Sequence, residues 1–263
     1  MLMQCGKVIG AIERSFPPYC ACDWDNVGLL VGDEKREVRR ILLALDATED
    51  VIEQAVKKKA DLLITHHPMI FRAVKRITAD DFTGRRILRL AKEGIAYYAM
   101  HTNYDSCFMG EQAARRLGLL DTEVLEPVAD GQDEALGIGK IGRLPCETTL
   151  RACAELVKSA FGISSVRIFG DGGHMVKKVA VVPGSGGGEI NRAILAGADL
   201  LISGDIDHHE GIDAMAQGLV VIDAGHYGLE HIFAVDMAGF LADKFGGAVS
   251  VECAQEREPF WVL

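Results

Sequence analysis

Short apolar runs alternate with helix-periodic segments through the first hundred residues. Arg39–Leu45 reads as a buried strand closing at Asp46, and Leu62–Ile64 and Ile95–Met100 read as two more. Between them lies Glu49–Lys59, with Val51, Ile52, Ala55 and Val56 on one helical face and Thr48 placed to cap it. A second helix spans Thr83–Glu93 and closes on Gly94. A helix over Val8–Phe16 ends at Pro17 and Pro18, and a polar loop from Asp23 runs into a short strand ending at Gly32. A further helix, Glu111–Leu117, ends at Gly118. This β-α-β alternation predicts a mainly parallel sheet covered by helices.

Residues 121–147 read as looser, being rich in glycine and holding Pro127 and Pro145, and suggest the passage into a second unit. Beyond it the pattern predicts a helix over Thr149–Phe161, strands at Val166–Phe169 and Lys178–Val182, and the loop Gly184–Gly188. The second half then echoes the first. Ala198–Ser203 (Ala-Asp-Leu-Leu-Ile-Ser) repeats Ala60–Thr65 (Ala-Asp-Leu-Leu-Ile-Thr) at an offset of 199 − 61 = 138 positions. A histidine pair follows each copy, His66-His67 and His208-His209. Gly94–Tyr98 before His101 corresponds to Gly218–Ile222 before His226. The expected fold is two similar α/β layered domains with mainly parallel or mixed sheets. The first spans 1–125, completed by 227–263, and the second, repeat-related domain spans 126–226. A metal site is expected in the cleft between them.

Composition narrows the function classes. With 49% hydrophobic and 25% charged residues, a chain of 263 residues has material for a substantial core. A net charge of −10 argues against binding nucleic acid through a basic surface. Basic residues do crowd the stretch from Arg72 to Lys92, which fits a solvated helix face or a basic rim for a phosphate-bearing substrate. The seven cysteines are scattered without a Cys-x-x-Cys pair, so reduced thiols in a cytoplasmic protein are expected. Neither a signal peptide nor an apolar run of membrane-spanning length is evident, and no membrane partner is expected.

Candidate chemistry gathers at predicted strand ends. Pro68 keeps His67 out of the helical region, so the strand stops at His66-His67, at the edge where ligands collect in open α/β sheets. His101 with Asp105, and His226 with Glu230, are each four residues apart, one helical turn. Histidines and carboxylates converging from separate strand ends make a mixed nitrogen and oxygen shell that suits zinc, manganese, iron or cobalt. Two ions sharing bridging carboxylates would be the geometry of hydrolysis. His101 fits direct ligation, support of a ligand, or a catalytic proton shuttle. Asp205 through His209 fit either a cleft lining or a helix cap, and the Gly184–Gly188 loop fits a tight turn better than an anion cradle.

Asp25-Asn26-Val27-Gly28, Thr65-His66-His67-Pro68, His101–Asp105, Gly184-Ser185-Gly186, Ser203-Gly204-Asp205 and Asp223–Glu230 together resemble the GTP cyclohydrolase type-2-like family. These are dinuclear-metal-centre proteins, also described as NGG-interacting-factor-three-like. The motifs run in the family's order over nearly the whole chain, which is similar to the short form lacking an inserted domain. The resemblance implies a toroidal homohexamer and two divalent ions per subunit. The implied ligands are His66, His67, Asp105, His226 and Glu230, with Glu230 and Asp105 as candidate bridges. The expected function is that of a metal-dependent hydrolase, an activated water attacking a small-molecule substrate, a nucleotide or phosphoester. The rival expectation is a metal-binding scaffold or adaptor without turnover.

Overall fold

The computed structural model describes residues 3–129 and 136–261. In chain order its strands are β1 (Gly28–Val31), β2 (Arg40–Ala44), β3 (Leu62–Thr65), β4 (Ala96–Ala99), β5 (Leu120–Ala129), β6 (Leu136–Thr149), β7 (Arg167–Phe169), β8 (Met175–Ser185), β9 (Leu200–Gly204), β10 (Val220–Asp223) and β11 (Ser250–Cys253). The chain divides into two compact units, Met1–Tyr104 with His231–Arg257, and Asp105–Glu230 with Glu258–Leu263. No described helix is long and apolar enough to cross a membrane.

In the first unit the sheet order is β1-β4-β3-β2-β11, with β11, β2, β3 and β4 parallel and β1 antiparallel at the edge. Side chains alternate across the sheet, so Leu42, Leu63 and Tyr97 meet Val51, Ile52 and Leu90 of the covering helices in one buried cluster. Each fully buried leucine or isoleucine contributes about 1.5–3 kcal/mol by leaving water. Thr48 caps the helix Glu49–Lys57 by accepting from Val51 N at 3.2 Å, and Gly94 ends Phe82–Glu93 at a left-handed φ of 65°.

The second unit's sheet runs β5-β6-β8-β9-β10-β7, parallel only across β8, β9 and β10. Ala180, Val182, Leu201 and Val221 pack on Ile190, Ala193 and Ala214. Two mixed α/β sheets therefore match the fold class read from the sequence.

The internal repeat extends to individual hydrogen bonds. Asp61 Oδ2 accepts from Arg39 N and Arg40 N at 2.8 and 2.9 Å, and Asp199 Oδ2 accepts from Lys177 N and Lys178 N at 2.9 and 2.7 Å. Leu62 pairs with Ala96 across β3 and β4, as Leu200 pairs with Val220 across β9 and β10.

The stretch 121–147 corrects the sequence reading. Its described part is two long antiparallel strands, β5 and β6, rather than a loose passage. Pro127 is tolerated because β5 lies at the sheet edge, and the ladder shifts register between Pro127 and Ala129. Gly137 stands where the carbonyl of Glu126 would lie 2.0 Å from an added Cβ, so the glycine marks close strand approach, not a break.

Candidate metal centre

In the first unit, β3 carries its ladder past its own end. His66 N donates to Ala44 O and His67 N to Leu45 O at 3.3 and 2.9 Å, which seats both histidines on the carboxyl edge of the sheet. The carbonyl of His67 accepts from Thr65 Oγ1 at 2.8 Å and from the Tyr97 hydroxyl at 3.0 Å; that hydroxyl accepts from Met69 N at 2.7 Å. Burial pushes the Tyr97 phenol up to about 12, so it stays a donor at any physiological pH.

His101 follows β4, the neighbour of β3, and joins them. Ligand-type nitrogens of His66, His67 and His101 all lie within 4.8 Å of one another. His66 is fully buried, with the rings of His67, His101, Tyr104 and Phe233 at 5.0, 5.1, 6.0 and 5.2 Å.

The ring orientations follow from what each Nδ1 meets. His66 Nδ1 stands 3.0 Å from Met100 O, His67 Nδ1 2.9 Å from Asp46 Oδ1, and His101 Nδ1 3.0 Å from Asp25 Oδ1. These partners are acceptors, so each Nδ1 carries the proton and Nε2 keeps its lone pair for a ligand. Burial alone would raise the Asp25 carboxyl, but hydrogen bonds from His101 and Thr102 outweigh it and hold the group down at about 2. Asp25 is therefore an anion throughout the physiological range. Asp46 is braced in turn, since Glu256 accepts from Leu45 N and Asp46 N at 2.7 and 3.1 Å.

The second unit repeats the device at the end of β10. His226 opens the helix His226–Glu230, and its Nδ1 lies 2.8 Å from Asp205 Oδ2 while its Nε2 lies 2.9 Å from Glu230 Oε2. The helical separation of four residues therefore does bring these two side chains together. Gly184 (φ +81°) packs on the carboxylate, where a Cβ would come 2.3 Å from Glu230 Oε1. The Gly184–Gly188 loop thus works as a close-packed turn that fixes Glu230. Asp105 opens a single wide helical turn, Asp105–Met109, one helical turn after His101 in the chain.

His208 and His209 are exposed residues at the start of the helix His208–Ala216, which Asp207 and Glu210 cap reciprocally. Of the two sequence alternatives for this pair, the helix start is the one found. The Nδ1 partners Asp25 and Asp46 are the residues to which sequence reasoning gave no role, whereas Asp205, read as a cleft lining or a helix cap, meets His226. The available signal was a carboxylate at the end of a strand or loop beside each histidine-bearing strand.

The donor set fits a borderline transition-metal ion. Imidazole Nε2 atoms grouped at a strand edge, each with Nδ1 held by an oxygen acceptor, are a ligand arrangement for zinc, iron, manganese or cobalt rather than calcium.

Comparison with known proteins identifies the relatives of this chain. The family model described as Duf34/NIF3 (NGG1p interacting factor 3) matches residues 3–259. The chain is 35% identical to the "GTP cyclohydrolase 1 type 2 homolog" of Clostridium perfringens, over 98% of this chain and 99% of that one. It is 33% identical to the "Protein NIF3 homolog" of Schizosaccharomyces pombe, over 91% and 89%. The crystal structure of a Bacillus cereus protein related to NIF3 superposes with a TM-score of 0.94 over the whole of both chains at 26% identity. The chain belongs to the Duf34/NIF3 family.

Proposed function

We propose that the chain is a metal-dependent hydrolase of a small phosphate-bearing molecule, with His66, His67, Asp105, His226 and Glu230 holding two divalent ions. The observation that carries this reading is the common orientation of the imidazoles, every one presenting Nε2 with Nδ1 bonded to an oxygen.

Divalent ions held there would supply Lewis acidity and activation of water near neutral pH. The remaining chemistry belongs to the chain. Asp25 fixes the tautomer of His101, which suits its Nε2 to take a proton and return it to a leaving group. The exposed Arg72, Lys75 and Arg76 supply positive charge for phosphate oxygens. By contrast, Arg85, Arg86 and Arg89 are engaged with Glu49 and Glu53 and form an ordinary ion-paired helix face. Assembly as a toroidal homohexamer in the cytoplasm belongs to the same proposal, and sedimentation of the purified protein tests the ring.

The decisive experiment joins metal analysis with turnover of GTP and simple phosphoesters. Wild type should hold about two ions per chain and release product, and Asp105→Ala and His226→Ala should lose both metal and rate. Full metal content in both variants would sink the ligand set. Metal retained by wild type without turnover of any substrate would favour the scaffold reading.

A further inference from the structure

Trp24 and Phe71 are 59% and 49% exposed, and both stand beside His101. Their ring centroids lie 5.8 Å apart, with Trp24 5.8 Å and Phe71 6.4 Å from the His101 ring. Single exposed aromatics are ordinary on a protein surface, but two that touch each other and a site histidine are less so.

The segments that carry them are tied down. Cys22 N donates to Thr102 Oγ1 at 2.9 Å, Asp25 N to Cys22 O at 2.9 Å, and Thr102 N to Asp25 Oδ2 at 2.9 Å. Asn26 Nδ2 donates to Ile70 O at 2.5 Å, which links the Trp24 loop to the residue before Phe71. The backbone segments that carry the two rings are therefore held in place by polar bonds, although most of the indole meets water.

We propose that Trp24 and Phe71 form a stacking platform for the planar base of a nucleotide, which seats the ligand against His101. This rests on the metal-hydrolase reading above and specifies its substrate class. The rings already touch, so a base stacks on their outer faces rather than entering between them. An apolar wall beside a few polar groups is the usual make-up of a small-molecule site. Charge complements shape: Phe71 runs directly into the exposed Arg72, Lys75 and Arg76, whose charge suits the phosphate of a nucleotide stacked on Phe71. Stacking reads the face of a ring and not its edge, so the platform accepts purines without choosing between them.

The test uses the metal-loaded full chain carrying Trp261→Phe, which leaves Trp24 as the sole indole. AMP, GMP and ribose 5-phosphate serve as probes. AMP and GMP should quench Trp24 emission and bind at least about tenfold tighter than ribose 5-phosphate, as base stacking predicts. By equilibrium dialysis, Trp24→Leu should weaken nucleotide binding roughly 10–100-fold. It should leave ribose 5-phosphate binding and metal content unchanged, and Trp24→Phe should restore most of the affinity. Equal binding of AMP and ribose 5-phosphate, or no detectable AMP binding, overturns the platform. Trp24 emission already shielded from acrylamide without nucleotide also overturns it, since another surface would then cover the indole. Normal metal content with phosphate released from ribose 5-phosphate would leave the hydrolase reading standing through such a failure. A base preference in a protein that binds no metal would sink that reading and spare the platform.

Discussion

Strands β3 and β9 begin alike and end differently. The aspartate before each, Asp61 or Asp199, accepts two backbone N–H groups of the preceding parallel strand, and each strand then pairs in the same register with its next neighbour. Past Thr65 the first chain continues straight into His66-His67, still bonded to the backbone of the β2 edge. Past Ser203 the second passes Gly204 and turns at Asp205 in a left-handed conformation (φ 54°). A Cβ on Gly204 would lie 2.5 Å from His226 N, so the strand ends where the next one presses on it. The histidine pair there falls on an exposed helix start. What the units share is a histidine after the following strand, His101 or His226, with Nδ1 on an aspartate. Repetition fixed the ladder; the turn after it decided which side chains reach the site.

The sharpest way to break this comparison is to remove a histidine from each pair. His66→Ala should abolish metal binding and reduce turnover by more than about 100-fold, as expected when one ligand of a metal site is lost. His208→Ala and His209→Ala should stay within about twofold of wild type, as exposed substitutions usually do. Metal content by plasma mass spectrometry with parallel rates settles it. Equal losses on the two sides would mean that the second pair also serves the site.

A smaller effect is expected at the aspartates behind the imidazoles. Asp46→Asn and Asp205→Asn should each weaken metal affinity about 10–100-fold while leaving the fold intact, since an amide can still meet Nδ1 but no longer supports it with charge. Competition with a chelator measures this in both units. Loss in only one would assign the metal to that unit alone. These aspartates also mark the limit of what the sequence revealed. The strand ends, the Thr48 cap and the Gly94 stop were legible because they follow from period and local chemistry. His66-His67 was legible because Pro68 ends its strand. Which carboxylate supports which imidazole was not, because Asp25 and His101 are 76 residues apart and meet only through tertiary packing. The strands β5 and β6 were misread because their glycines answer close approach between neighbours, which no single-strand pattern displays.

The repeat itself predicts symmetry. Asp61→Ala and Asp199→Ala each strand two backbone N–H groups, exposed at Arg39 and Arg40 and part-buried at Lys177 and Lys178, so each should cost about 1–2 kcal/mol in urea unfolding, the second the more. Costs that differ by more than about 1 kcal/mol would show that the two aspartates are alike in geometry without being alike in energy.

The smallest expected effect is confined to the second unit. Glu189 is 14% exposed; burial first, then the hydrogen bond and charge of Glu126, push its carboxyl up to about 7, with Arg192 opposing. The folded chain therefore holds this proton more tightly than the unfolded chain, whose carboxyl titrates in its ordinary range. The stability it contributes is complete below about pH 4.5 and is lost as pH rises toward and through 7. Glutamine mimics the protonated acid, so Glu189→Gln should match wild type near pH 4.5 and exceed it by about 1 kcal/mol at pH 8.5. The figure is well below the full shift because water and Arg192 screen the charge. Thermal melts of both proteins across that range should diverge with rising pH. Divergence with falling pH would mean that the ionised form is the one Arg192 favours, and that the Glu126–Glu189 contact is held together by the cation rather than by a shared proton.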